Sequence, residues 1–273
     1  MSGAPAGPVR DPAPVGLITG AGRGVGAATA RQLAAEGWRL VLVDACTDDP
    51  ALGYPLASWD DLVAVADACG PTGAVPVVGD VRRQGDLDAA VATARERFGG
   101  LDAAVAVAGA IAGGLEAWRT DDDLWAAMVG INLEGVWHLA RAAVPALLER
   151  PDPRRCRFVA VGSAAGVQGL PGLGAYVAAK HGVVGLVRAL AAELGPHGVT
   201  ANVVAPGTTA TAMARASAAL YGLEDPSELA VHHRLPRLVA PEEVAALLAW
   251  VCGPQSSAVT GAVLPVDAGM TSG

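Results

Sequence analysis

Tyr176 and Lys180 stand four positions apart in AYVAAKHGVVGLVRALAAEL, a helical stretch, so one helix face presents both side chains. A phenol with a pKa of about 10 is a poor base at neutral pH. A neighbouring ammonium favours the phenolate and brings its proton within reach of general acid/base chemistry. The pair alone is a weak signal, because this spacing arises often by chance. Ser163, in FVAVGSAAG at the end of the preceding strand-like run, adds a hydroxyl that can meet the same substrate oxygen from a neighbouring strand edge. Asn132, in GINLEGVW, falls inside a predicted helix where packing does not need an amide; the alternative is a buried amide bonded to backbone.

A second group of residues suits a dinucleotide. The first apolar run ends in TGAGRGVG, with Gly20, Gly24 and Gly26 in a G-x3-G-x-G spacing around Gly22, Arg23 and Val25, and a helix follows at once. Glycine permits the tight turn and close backbone approach that a pyrophosphate needs, and the helix N-terminus supplies N–H groups and a positive dipole. The commoner GxGxxG fingerprint fails, since Val25 stands where its third glycine would fall. Asp44 closes the second apolar run, where a carboxylate accepts bonds from ribose hydroxyls and repels a 2′-phosphate. That favours NAD over NADP, with Arg23 as the opposing feature. Asp80, in GDV after the third run, is a candidate for the adenine edge or an ordinary turn residue. With an oxidised nicotinamide at hand, Tyr176 gains a further positive neighbour.

The elements that must position these groups alternate. Predicted strands are Val15–Thr19, Arg39–Asp44, Val75–Gly79, Ala103–Ala108, Arg157–Val161, Thr200–Val204 and Ala262–Val266. Between them lie Ala-rich helical stretches at Ala27–Glu36, Leu87–Phe98, Leu124–Leu148, Tyr176–Leu194 and Pro241–Val251. Strands without polar alternation are covered on both faces, which predicts an α/β fold: one doubly wound domain over residues 15–273, with a parallel sheet of about seven strands between helix layers. Two stretches break the rhythm. Residues 45–60 (ACTDDPALGYPLASWD) fill a place where a short turn would suffice, and residues 208–238 form a long irregular insertion before the last helix. Insertions at this edge of such a sheet shape or cover the site. Tyr54, Pro55 and Trp59 are expected to pack the first one.

Composition narrows the remaining classes. The chain has 273 residues, 52% hydrophobic and 17% charged, with a net charge of −8. No basic field is available to displace counterions, which excludes nucleic acid. Cys46, Cys69, Cys156 and Cys252 are scattered and form no CxxC pair, so neither a metal site nor a redox pair is expected. Residues 1–14 (MSGAPAGPVRDPAP) lack the apolar core of a signal peptide and read as a disordered tail, and no run is long enough to span a bilayer. A cytoplasmic protein is expected.

Taken in order, the TGxxxGxG turn, Asn132, Ser163, the YxxxK pair and the Pro206–Gly207 turn resemble the short-chain dehydrogenase/reductase family, from Val15 to about Gly269. The resemblance implies a seven-stranded Rossmann-type sheet and a catalytic tetrad on Asn132, Ser163, Tyr176 and Lys180. It further implies that Lys180 binds the nicotinamide ribose and that Asn132 holds a water of the proton relay. Thr211, in PGTTATAM, matches the family's threonine at the carboxamide, Thr208 lies on the same turn, and the residues beyond resemble its mobile substrate lid. Val81 follows Asp80 in the same cofactor wall. The family's NNAG turn is Ala106-Val107-Ala108-Gly109 here, without either asparagine, leaving the Ala108 and Gly109 backbone to border the cofactor. The DDPALGYPLA insertion and CRFVAVGSAAG resemble the mycofactocin-associated branch, which implies an NAD that does not exchange and is reoxidised in place by mycofactocin.

The reading is therefore an NAD-dependent oxidoreductase acting on an uncharged, hydrophobic secondary alcohol or ketone. The candidate pocket residues 110–114, 164–170 and 208–235 lack an obvious anchor for a charged group. The alternatives are an ordinary member with freely exchanging NAD(P), or a sensor that binds NAD without turnover. Ala178, Gly182, Gly185 and Ala189 permit close helix approach which, with the family's habits, suggests a homotetramer. His232 and His233 fall in the lid without partner carboxylates for a metal. Trp118, Trp125, Trp137 and Trp250 read as core or subunit contacts.

Overall fold

The computed structural model describes residues 13–71 and 73–272; of the tail expected over residues 1–14, positions 1–12 lie outside the described residues. Apolar runs flanked by glycine or polar turns become seven strands: β1 (Val15–Thr19), β2 (Arg39–Asp44), β3 (Ala74–Val78), β4 (Ala103–Ala106), β5 (Arg157–Val161), β6 (Thr200–Pro206) and β7 (Val263–Val266). They form one sheet in the order β3-β2-β1-β4-β5-β6-β7, every pair parallel. The winding reverses between β1 and β4, and the carboxyl ends of those strands open the crevice in which such sheets take ligands.

Both faces of the sheet are covered. Leu33 of α1 (Gly24–Ala35), Leu62 of α2 (Trp59–Ala68) and Leu248 of α8 (Pro241–Cys252) pack with Ile18, Leu42 and Val159 on one side. Leu87 of α3 (Gln84–Phe98), Leu139 of α5 (Gly135–Leu148) and Val187 of α6 (Gly174–Leu194) pack with Leu17, Val43 and Phe158 on the other. That is the doubly wound, three-layer α/β domain expected from uninterrupted apolar strands.

The departures from the sequence reading have local causes. Strand β4 ends at Ala106 because the N–H groups of Val107 and Ala108 both turn onto the Thr19 hydroxyl at 3.2 Å. Strand β6 runs on to Pro206 because β7 pairs with its last residues, Ala205 with Pro265 and Pro206 with Val266. The helix expected over Leu124–Leu148 is α4 (Asp122–Val129) and α5, separated by a π-helical turn at Gly130–Glu134 that carries Asn132. Such turns recur at functional sites. Helix α2 begins inside the insertion, so its irregular part is residues 45–58. Ser58 and Asp61 form a reciprocal capping box, and Trp59 is exposed at the first helical position instead of packing the insertion. The stretch 208–238 is not wholly irregular: α7 (Ala212–Leu220) and a 3-10 turn at Pro226–His232 lie within it.

The β1–α1 turn is closely packed. Gly20 has φ of +66°, and a methyl group there would lie 2.6 Å from Ala108 Cα. A methyl on Gly26 would run into the Gly20 carbonyl, whereas one on Gly185, in mid-helix, meets nothing within 4 Å. The same substitution should therefore act in opposite directions. Gly26→Ala is expected to cost about 1–3 kcal/mol through overpacking. Gly185→Ala should add about 0.5–1 kcal/mol through backbone entropy. Urea unfolding of both variants checks the pair; equal effects would contradict the packing account.

Candidate active site

Helix α6 delivers the phenol and the ammonium. Tyr176 lies in its first turn, 6% exposed, and Lys180 one turn on, 3% exposed, with Nζ 5.7 Å from the tyrosine ring centroid. Lys180 Nζ donates to the Val161 carbonyl at 3.0 Å, which ties it to the end of β5. Ser163, just beyond that strand, lines the same cleft as Tyr176, and its Oγ accepts the Ala165 N–H at 3.1 Å. Burial pushes the Tyr176 phenol up to about 12, opposed by the Ser163 hydroxyl and helped by the nearby Tyr54. Burial also pulls Lys180 down to about 8. In this apolar site each charged form depends on the other for its neutralisation.

Asn132 is near these groups but spends its amide elsewhere. Its Nδ2 donates to the Ala110 and Met128 carbonyls, both at 3.0 Å, and its Oδ1 accepts the Ala110 N–H at 3.2 Å. It clamps the loop after β4. Gly109 lies between this amide and Lys180: a methyl there would stand 3.0 Å from Asn132 Oδ1 and 3.5 Å from Lys180 Nζ.

A cleft of about 1320 Å³ leads from this group to the β1–α1 turn. Gly20, Arg23, Gly24, Val25 and Gly26 line one end beside Asp44. Asp80, Val81, Ala108 and Gly109 line its flank. Pro206, Gly207, Thr208 and Thr211 line the far wall. Gly22 backs onto Asp44, whose Oδ2 accepts the Gly22 N–H at 2.9 Å; a methyl on Gly22 would sit 2.7 Å from Ala57 Cβ. A cradle that only glycine can line, a helix N-terminus and a carboxylate at the strand end fit a dinucleotide with free ribose hydroxyls. Asp80 faces Arg82 instead of standing free. Burial would raise its pKa, but Arg82, bonded through Nε and a terminal nitrogen, holds it below the usual carboxylate range.

The segment after Asp44 crosses this cleft. Arg82 also pairs with the buried Asp49 at 2.6 Å. A terminal nitrogen of Arg23 donates to the Pro55 carbonyl at 2.6 Å, and its guanidinium lies 5.9 Å from the Tyr54 ring centroid. The Tyr54 hydroxyl accepts the Ile111 N–H at 3.0 Å. Leu52, 7% exposed, joins Ile111, Met128, Leu173 and Tyr176 in one apolar cluster. The strap thus reaches beyond the adenosine edge to the tyrosine itself. Asp49, Arg82 and Leu52 were not among the sequence-derived candidates. Asp49 and Leu52 lie in the quoted insertion, but their partners are distant in sequence. Helix α7 adds Met213 and Ser217 to the wall, and Tyr221 follows them.

Among the described residues no group of His, Cys, Asp and Glu could hold a metal ion, and no helix is long and apolar enough to cross a membrane. Trp118 is 84% exposed, and Trp125, Trp137 and Trp250 are also exposed, so none of the four is core.

Known proteins resemble this chain over nearly its whole length. Residues 20–271 match the family model described as enoyl-(acyl carrier protein) reductase. The chain is 38% identical over 270 residues to (-)-trans-carveol dehydrogenase of Rhodococcus erythropolis, covering 94% of this chain and 97% of that one. Carveol dehydrogenase of Mycobacterium avium, solved in complex with NAD, superposes with a TM-score of 0.90 at 35% identity, covering 96% of this chain and 99% of that one. Levodione reductase superposes with a TM-score of 0.86 at 31% identity over 96% and 99%.

The buried ammonium makes stability depend on pH. With Lys180 at about 8 in the fold, the unfolded chain holds more protons from there up to its ordinary value of 10.5. Stability should therefore rise with pH through that window. Tyr176, raised from 10.0 to about 12, acts in the opposite sense only above its unfolded value. Between about pH 7.5 and 9.5, cofactor-stripped wild type should gain about 2 kcal/mol relative to Lys180→Met, read from denaturant unfolding. Parallel pH profiles of the two proteins would refute the buried-charge assignment.

Proposed function

Because the chain belongs to the short-chain dehydrogenase/reductase family, we propose that this NAD-dependent oxidoreductase interconverts an uncharged, apolar cyclic secondary alcohol and its ketone, with Tyr176 as the group that moves the proton. The observation that carries the reading is the convergence of the Ser163 and Tyr176 hydroxyls and the Lys180 ammonium at the apolar end of a cleft. The other end of that cleft is a glycine turn beside Asp44. Carveol is the alcohol named for two similar proteins. Ala110, Ile111, Leu173 and Met213 offer an apolar surface suited to such a ring.

When bound, NAD supplies the hydride acceptor, and its reduced form the donor. Ser163 steadies the substrate oxygen, and Tyr176 takes the hydroxyl proton on oxidation and returns it on reduction. Lys180, held by the Val161 carbonyl, compensates the phenolate charge and would bind the nicotinamide ribose. Asn132 keeps the loop carrying Ala110 in place, and its family role at a relay water is part of the same proposal. Asp44 favours a free ribose 2′-hydroxyl, and Arg23 is drawn to Pro55 and Tyr54, so NAD is preferred to NADP.

The strap supports a second element of the reading, that NAD is retained through turnover and reoxidised in place by mycofactocin. Three separate ties hold it down: Asp49 to Arg82, Pro55 to Arg23 and Tyr54 to Ile111. All must loosen before a dinucleotide beneath it can leave, and affinity is tuned chiefly through dissociation. The acceptor itself rests on the sequence resemblance. The homotetramer rests on the sequence resemblance and on the small residues along α6, Ala178, Gly182, Gly185 and Ala189.

One set of assays tests these assignments together. Protein dialysed and then denatured should release about one NAD per chain, and alcohol oxidation should need an artificial dye acceptor instead of added NAD. Fast turnover on free NAD would exclude retention. Tyr176→Phe should lower the dye-linked rate by about 10²-fold or more; a near-normal rate would remove Tyr176 from proton transfer.

A further inference from the structure

The excursion that covers the cleft leaves the sheet after Gly207 and is joined again at Val239. Val239 N–H donates to Thr208 O at 3.0 Å, Ala210 N–H donates to Val239 O at 2.9 Å, and Thr209 and Val239 form a parallel bridge. One buried side chain spans the same base. His233 is 7% exposed, with Nδ1 2.7 Å from the Arg237 carbonyl and Nε2 3.2 Å from the Thr208 amide nitrogen. A backbone N–H only donates and a carbonyl only accepts, so the tautomer follows. Nε2 offers its lone pair, and Nδ1 carries the proton. The ring is neutral and both nitrogens are engaged, which leaves neither for a metal.

Its surroundings are tied down too. His233 N–H closes the 3-10 turn on Ala230 O at 2.9 Å, and the Arg234 and Leu235 N–H groups both donate to Ala268 O, at 2.9 and 3.0 Å. Neither nearby carboxylate bonds the imidazole: Glu243 holds Arg237 at 2.6 and 2.7 Å, and Asp267 accepts from Gly269 and Thr271. Thr208 lines the cleft beside Gly207, while Met213, Ser217, Leu229 and His232 of the excursion line its outer wall. The wall hangs from the base that His233 spans.

We propose that His233 is the positioning residue of the substrate-covering segment. As a neutral imidazole it fastens Thr208, at the cleft, to the returning chain at Arg237, and so sets where the wall stands against the substrate. What the wall encloses rests on the oxidoreductase reading; the tautomer and the fastening do not.

Three substitutions separate the two bonds. His233→Gln places an amide oxygen near the Nε2 position and keeps the acceptor for Thr208. His233→Asn places an amide NH2 near Nδ1 and keeps the donor to Arg237. His233→Leu removes both. Nitrogen NMR of histidine-labelled wild type should show His233 neutral with the proton on Nδ1. Hydrogen exchange in the leucine variant should quicken within residues 208–239 and not in the central strands. Its KM for the alcohol should rise about tenfold with kcat within about threefold, the pattern of lost binding geometry. The glutamine variant should recover most of the loss, and the asparagine variant less.

A charged imidazole, or a proton on Nε2, would overturn the proposal. So would exchange in 208–239 matching wild type, or a loosened segment with KM unchanged. If the leucine variant does not fold, the wild-type tautomer and the glutamine–asparagine difference decide. If wild type oxidises no alcohol, the functional reading fails, while NMR and exchange still judge His233.

Discussion

A buried ammonium with no carboxylate partner among the described residues is the constraint on which the site depends. Lys180 is nearly inaccessible, and its ammonium donates to the Val161 carbonyl. A charge in that position costs free energy unless a negative group forms beside it, and the available one is the phenolate of Tyr176. The fold supplies the positions. Helix α6 sets the two side chains one turn apart, and the parallel pairing of β5 with β4 and β6 sets the carbonyl and Ser163 at the same sheet edge. Glycine lets the neighbouring backbone come close: a methyl on Gly166 would stand 3.0 Å from Lys180 O, and one on Gly182 would stand 2.7 Å from a Leu133 methyl.

The two ends of the cleft are mechanically joined. The segment after Asp44 begins at the expected ribose position, is pinned by Arg82 and Arg23, and ends its crossing at Ile111 and the Tyr176 cluster. A segment with that path links the Asp44 end of the cleft to the Tyr176 end, because Leu52 packs in the Tyr176 cluster and Tyr54 meets Ile111. On the opposite wall the excursion built on Thr208 and Val239 lines the cleft from the β6 side with Thr208, Thr211 and Met213.

Much of the plan was legible because it is local. The uninterrupted apolar runs Val15–Thr19 and Arg39–Asp44 coincide with strands β1 and β2, and the glycine turn, Asp44, Ser163, Tyr176 and Lys180 all meet one cleft. What was hidden depends on partners far apart in sequence. The end of β4 is set by Thr19, 88 residues upstream of Val107. The direction of Arg23 is set by Pro55, and Asp49 is held by Arg82, each partner more than 30 residues away. Helix α2 was recoverable: Ser58 and Asp61 are a capping pair three apart, masked by the preceding prolines and by Trp59 reading as an apolar anchor. The amide of Asn132 shows the limit of residue type alone, since its hydrogen bonds are taken by Ala110 and Met128.

The most direct test of the central claim is a single-turnover measurement on the protein as isolated, with its bound dinucleotide and no acceptor. On mixing with a cyclic secondary alcohol such as carveol, the near-ultraviolet absorbance of reduced nicotinamide should appear once, to about one equivalent per chain, and should reverse when the matching ketone is added. A protein that carries bound NAD yet shows no reduction with any member of a secondary-alcohol panel would contradict the account and favour a binding role without turnover.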